Sequence, residues 1–196
     1  MSIKLSFTIL ETRRTDWDAI PFLQARQNRF KSRTLWERFL SRILIGKEPK
    51  MPFLKEKIPL TRLYERDYQP KGRLFYLIRA NDALILPFCV PEEVFPFDDS
   101  GEPVAEWLKQ LPDAKLTALL YYENVGIYAY FRYHEGSVRK IIIDESGTVE
   151  EGTPLPNEQA YLTKAGMNYP AFILDQMNRY HLQDAPERYA VEVYGY

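Results

Sequence analysis

Side chains able to do covalent or metal chemistry are scarce in this chain. Its two imidazoles are His134 and His181, and its one thiol is Cys89. A zinc ion could draw on both histidines and a carboxylate such as Glu135 or Asp184, because zinc accepts nitrogen and oxygen ligands. The histidines are separated by 47 positions, however, and neither stands in an HExxH or HxH pattern. No metal and no cofactor is expected. Cys89 lies inside the apolar run Leu86–Val90, the setting of a buried, inert thiol rather than of a nucleophile, which needs electropositive and partly exposed surroundings. There is no GxSxG elbow, and none of the nine glycines forms GxGxxG or GxxxxGK, the loops that cradle phosphates with backbone amides.

Carboxylates cluster twice, as Asp98, Asp99, Glu102 and Glu106 and as Asp144, Glu145, Glu150 and Glu151. Paired carboxylates do acid–base work when their surroundings split their pKa values. The first group falls where a helix would be capped, without the spacing of a calcium loop. The second straddles a turn, where water solvates it. No catalytic residue is assigned. If the protein is an enzyme of unrecognised type, its pocket is expected near His134.

Charge and aromatic patterning are more informative. Residues 1–79 hold 18 Lys or Arg against 8 Asp or Glu, a net of +10, and residues 80–196 hold 8 against 19, a net of −11. Such asymmetry is met by packing of one half on the other or by partners of opposite sign. In the basic half, Arg26, Arg29 and Arg33 fall at i, i+3 and i+7, with Phe22, Phe30 and Trp36 close by. On one helix face these arginines could grip phosphates, so nucleic-acid or polyanion binding is an alternative function; no recognised nucleic-acid motif accompanies them. In the acidic half, eleven of the 14 tyrosines lie from position 121 onward. Within one strand, Ile127, Ala129, Phe131 and Tyr133 define a core face and Tyr128, Tyr130, Arg132 and His134 the other, an aromatic, hydrogen-bonding mix enriched at protein interfaces.

These side chains are positioned by an α+β succession. Ile3, Leu5, Phe7 and Ile9 alternate with polar residues, the period of a half-buried strand. Thr15 suits a helix N-cap, and Leu35, Trp36, Phe39, Leu40, Ile43 and Leu44 recur at helical spacing before Gly46. Prolines 49, 52, 59 and 70 interrupt a basic excursion over about 47–72, read as a surface connection with a short helix around Leu60–Arg66. Leu74–Ile78 and Ala83–Val90 read as strands joined at Asn81-Asp82, and a helix runs from about Pro103 to Leu111, stopped by Pro112. Lys115–Glu123, Ile127–His134 and Val138–Asp144, separated by short glycine-containing turns, predict a three-strand meander over about 115–144. A proline-punctuated loop follows, then a short helix ending at Gly166, a helix capped by Asn168 and a terminal strand through Tyr189, Val191 and Val193.

The expected architecture is one α+β domain over 1–196, an antiparallel or mixed sheet with helices packed mainly on one face. With no apolar run near 18 residues, no membrane span is expected. The N-terminus lacks the apolar centre of a secretion signal, so a soluble, cytoplasmic protein is expected. The expected function is a non-enzymatic protein-binding module engaging a basic partner. Tyr128, Tyr130 and Arg132 would be its central contacts, and Asp144 and Glu145 would lie towards the rim. In general character, as a small single domain that is acidic over one region and has no catalytic constellation, the chain resembles bacterial toxin-neutralising immunity proteins. That likeness is one of class, carried by no motif.

Overall fold

A computed structural model describes residues 4–12, 53–65, 74–80, 82–88 and 104–195. The expected helices after Thr15 and over residues 35–44, and the segments 47–52 and 66–72 of the excursion, lie outside the described residues.

The meander forms first by local rules. Strand β5 (Lys115–Tyr122) turns into β6 (Ile127–His134), then β7 (Ser137–Asp144) and β8 (Gly147–Glu151). Gly126 closes the first turn at φ 66°, and Glu135 and Gly136 close the second at φ 49° and 79°. Two consecutive left-handed residues match the natural strand twist in a two-residue hairpin. In the third turn the Asp144 carboxylate accepts from the Ser146 amide at 2.8 Å and hydroxyl at 2.5 Å. That side chain bonding supplies the turn without glycine at either central position.

Strand β1 (Lys4–Glu11) pairs on one side with β5 and on the other with β4 (Ala83–Pro87). Beyond β4 lie β3 (Leu74–Arg79), the C-terminal β11 (Ala190–Gly195) and β2 (Phe53–Pro59). Among the described residues the result is a nine-stranded sheet of order β2-β11-β3-β4-β1-β5-β6-β7-β8, antiparallel at every pairing. A separate ribbon joins β9 (Leu162–Thr163) to β10 (Gly166–Met167).

Two corrections concern the sheet's edges. Residues 53–59, read as part of a surface connection, form edge strand β2, and residues 147–151, read as loop, form edge strand β8. Charged side chains suit edge strands because they keep the open edge solvated and discourage edge-to-edge pairing, and a terminal proline suits them because no ladder donor is needed there. The expected helix ending at Gly166 is instead a 3₁₀ turn, Pro156–Tyr161, followed by the β9–β10 ribbon.

Both faces of the sheet are covered. On one side Leu10, Leu84, Leu116, Ala118, Ala129 and Phe131 pack with Val104, Leu108 and Leu111 from the region of α2 (Val104–Gln110). On the other, Phe7, Ile9, Ile85, Leu119, Tyr130 and Ile141 pack under α3 (Tyr169–Asn178), which contributes Phe172, Ile173 and Met177. Helix α1 (Leu60–Tyr64) joins this second side through Leu60 and Leu63. Among the described residues two of the three helices therefore share one face. Asn168 caps α3 as expected, its side-chain Oδ1 accepting from the Ala171 amide at 3.2 Å. No helix among the described residues is long and apolar enough to cross a membrane.

Candidate functional site

Strand β6 lies inside the sheet, third from the β8 edge, and both of its faces are covered at its middle, Ala129 to Phe131. The expected core face is confirmed at Ala129 and Phe131. The opposite face is not the open platform expected. Tyr130 is 2% exposed, its ring set edge-on to Phe172 with centroids 5.1 Å apart. Burial pushes its phenol up to about 12, with Arg132, Arg179 and Arg139 pulling it down and Glu158 pulling it up. Tyr130 is thus not a partner contact: α3 needs an apolar floor for Phe172 and Ile173, and this face of β5–β7 supplies it. Tyr128 is half-buried and packs edge-on to Tyr121 at 4.9 Å. It stands opposite Ile143, next along β7 from Asp144, so the structure groups Tyr128 with Asp144 and Glu145 at the hairpin tip and removes Tyr130 and Arg132 from them. Arg26, Arg29, Arg33 and Cys89 lie outside the described residues.

Arg132 enters a different site. A cavity of about 260 Å³ lies between sheet and α3. Glu11 of β1, Lys115 and Thr117 of β5, and Tyr130 and Arg132 of β6 form its floor; Gln176, Arg179 and Tyr180 form its roof; Leu155 and Asn157 close one side. Lys115 is paired with the Glu11 carboxylate, and the Tyr180 hydroxyl donates to that carboxylate at 2.9 Å. Arg179 reaches Asp175 at 3.4 Å. Arg132 has no such partner among the described residues, and its Nε, closed off from solvent, is without a hydrogen bond. Asn157 Nδ2 and Thr117 Oγ1 are buried and lack a close partner in the same way. Burial raises the Tyr180 phenol and a hydrogen bond with the Thr117 hydroxyl opposes that rise, so Thr117 is less isolated than Arg132 Nε and Asn157 Nδ2.

The side of the cavity is held by a buried ion pair that sequence reasoning missed. Arg139, opposite Arg132 in register, donates to both oxygens of Glu158, from Nε at 2.9 Å and from Nη2 at 2.6 Å. Their side chains are 3% and 2% exposed. Nη2 also reaches Glu150 at 2.7 Å, Nη1 reaches the Glu151 carbonyl at 3.3 Å, and the Leu155 amide donates to Glu158 at 2.9 Å. The hydrogen bonds to Glu158 hold the Arg139 guanidinium more firmly protonated than usual, against the cost of burial. This carboxylate therefore fixes the 3₁₀ turn onto β7 and places Leu155 and Asn157 at the cavity.

A shallower hollow of about 480 Å³ adjoins it, lined by Arg132, His134, Glu135, Ser137, Arg139 and residues 152–155. His134 and Ser137 face each other across the β6–β7 turn, but among the described residues no side-chain hydrogen bond joins them. The nearest carboxylate recorded for the imidazole is Glu135, at 4.0 Å from Nδ1. That is not the geometry of an activated nucleophile. No group of three or more metal-binding side chains occurs among the described residues.

No protein-family model, curated protein or solved structure matches this chain.

Proposed function

We propose that this protein is a non-enzymatic binding module that engages a basic partner protein along the open side of β8. The observation that carries this reading is the state of that strand. β8 ends the sheet, pairs with β7 alone among the described residues, and is exposed at all five positions. Asp144 and Gly147 close the turn, so the alternation of an antiparallel ladder aims the backbone groups of Thr148 and Glu150 away from β7. An extended segment can add there, taking affinity from main-chain bonds and selectivity from side chains on alternate faces. Val149, 52% exposed, and Val138, 39% exposed, offer apolar contact on one face. Glu145 is exposed at the hairpin tip and Asp144 partly so, while the exposed Glu150 and Glu151 are shared with Arg139 and Lys140; this acidic end favours a partner segment rich in Lys or Arg. Inhibition of immunity type would consist of masking a basic surface of such a partner.

The reading is tested by affinity purification from the source organism, comparing the wild-type chain with Thr148→Pro and with Val149→Lys/Glu145→Lys. A basic protein retained by the wild type and lost by both variants, with circular dichroism unchanged, supports it. Equal retention by folded variants refutes the β8 edge. Nucleic acid recovered in place of protein, and lost on replacing Arg26 and Arg29, would favour the polyanion alternative.

A further inference from the structure

We propose that the cavity beneath α3 is a binding site for a small oxyanion, carboxylate- or phosphate-bearing, seated on Arg132. The site is separate from the β8 edge and does not depend on it.

The inference starts from donors without acceptors. Buried polar groups in folded proteins are almost always hydrogen-bonded, so each exception calls for a physical reason. Four buried side-chain atoms without a close partner stand out among the described residues, and three of them, Arg132 Nε, Asn157 Nδ2 and Thr117 Oγ1, belong to residues lining this one cavity. Thr117 is 3% exposed. All three can donate a proton, and the guanidinium and the amide nitrogen can only donate. The complement is a group with several acceptor lone pairs and negative charge, which describes a carboxylate or phosphate.

Charge agrees with this. Glu11 is the single carboxylate among the lining residues, and Lys115 already occupies it. Lys115 and Arg179 each have a carboxylate partner, which leaves Arg132 as the lining cation without one among the described residues. Its neighbour in register, Arg139, receives two carboxylates. Two guanidiniums opposite each other on adjacent strands repel, and the fold neutralises one while leaving the other facing the cavity. An arginine fork matches carboxylate and phosphate oxygens in geometry as well as in charge.

Size limits the ligand. At about 30 Å³ per water molecule in the liquid, the cavity has room for roughly eight or nine waters, hence for an organic anion of about that many non-hydrogen atoms. Tyr130 and Leu155 line the cavity with carbon surface for the ligand's uncharged part.

The experiment is calorimetric titration of the full chain with succinate, with inorganic phosphate and with neutral succinamide, repeated on Arg132→Met and Thr117→Val. Either anion should bind with single-site saturation and succinamide should not. Succinate alone identifies a carboxylate site; phosphate alone identifies a phosphate site. Arg132→Met should weaken binding at least tenfold, the scale of a lost charge-assisted hydrogen bond, and Thr117→Val severalfold. A second readout separates binding from structure: without ligand, Arg132→Met should melt at or above the wild-type temperature, because it removes an unpaired, half-buried cation. The proposal is overturned if neither anion binds at concentrations up to about 10 mM, since waters then suffice for the donors. It is equally overturned if binding survives Arg132→Met. Should that variant fail to fold, Arg132 is structural and the proposal falls with it.

Discussion

Replacing Glu158 by glutamine tests the buried pair that shapes the cavity. The wild-type carboxylate accepts from Arg139 Nε, Arg139 Nη2 and the Leu155 amide. Glutamine keeps one acceptor oxygen, turns the other position into a donor facing a guanidinium, and removes the charge. Truncating one partner of a buried ion pair costs about 3–5 kcal/mol, because the other charge stays buried without compensation. Here Arg139 keeps Glu150 at 2.7 Å, though that carboxylate is 42% exposed. The loss for Glu158→Gln is therefore set at the lower end, about 3 kcal/mol. Arg139→Met strands the buried carboxylate with the Leu155 amide alone and should cost nearer 5 kcal/mol, as an estimate of about the upper end of that range. For 196 residues, an unfolding entropy of about 2.1 cal/mol/K per residue gives about 0.4 kcal/mol/K, so 3 kcal/mol lowers the melting temperature by roughly 7 °C. Differential scanning calorimetry reads the shift, and urea unfolding checks that m is unchanged. The double variant Arg139→Met/Glu158→Leu should recover most of the loss, since an apolar pair replaces the ion pair. A loss below about 1 kcal/mol for Glu158→Gln, the scale of a solvent-exposed pair, would refute the buried geometry. So would a double variant as unstable as the sum of its parts.

Other consequences are local. Gly152 stands at φ 82°, and a Cβ there would overlap the Val138 carbonyl; Gly152→Ala should cost more than about 2 kcal/mol by adding overlap to left-handed strain, read by urea unfolding. Asn168→Ala removes the bond to the Ala171 amide and should cost about 1 kcal/mol, measured in the same way. At Glu192 burial pushes the carboxyl up, but hydrogen bonds from Arg79, Lys57 and Tyr194 outweigh it and hold it below its ordinary value. The unfolded chain then binds the proton first, so this stabilisation is complete above about pH 4.5 and is lost as pH falls through the lower folded value. Glu192→Gln should flatten the acid side of a stability-versus-pH curve, and an unchanged slope would remove the assignment.

How far the sequence discloses the fold depends on where each strand sits. The meander is legible because its turns carry their own chemistry, at Gly126, Glu135-Gly136 and Asp144-Glu145-Ser146. Strand β1 is legible because Phe7 and Ile9 alternate with polar residues, although Ser6 and Thr8 prove to be buried too. The two strands of the main sheet absent from the sequence reading, β2 and β8, are its two edges. An edge strand buries little, so Lys55-Glu56-Lys57 and Glu150-Glu151 carry no apolar period to detect. Tyr130 is the converse case. In a strand buried on both sides, alternation names two faces without saying which one meets water. The available signal lay elsewhere: the apolar residues of α3, Phe172, Ile173 and Met177, and those of α2, Val104 and Leu108, each require a sheet face. The Arg139–Glu158 pair left no trace, because 19 positions separate the partners and only the crossing of the 3₁₀ turn over β7 brings them together.

That crossing ties the stability of the fold to the shape of the cavity. The chain leaves β8, passes Gly152 directly over the Val138 carbonyl, and is fastened by Glu158 to Arg139. Between those two points it delivers Leu155 and Asn157 to the cavity wall. One strand pair thus carries two arginines in register with opposite fates: Arg139 is satisfied by carboxylates from Glu150 and Glu158, while Arg132 is left with its Nε unbonded. A second carboxylate in the turn could have neutralised Arg132; an amide, Asn157, stands there with its own donor unbonded. Leaving a half-buried cation and adjacent donors without acceptors destabilises a fold, and such concessions concentrate at functional sites. The unequal treatment of two neighbouring arginines is therefore the physical ground for assigning the cavity to an external anion, and the firmly paired one is what keeps the other in place.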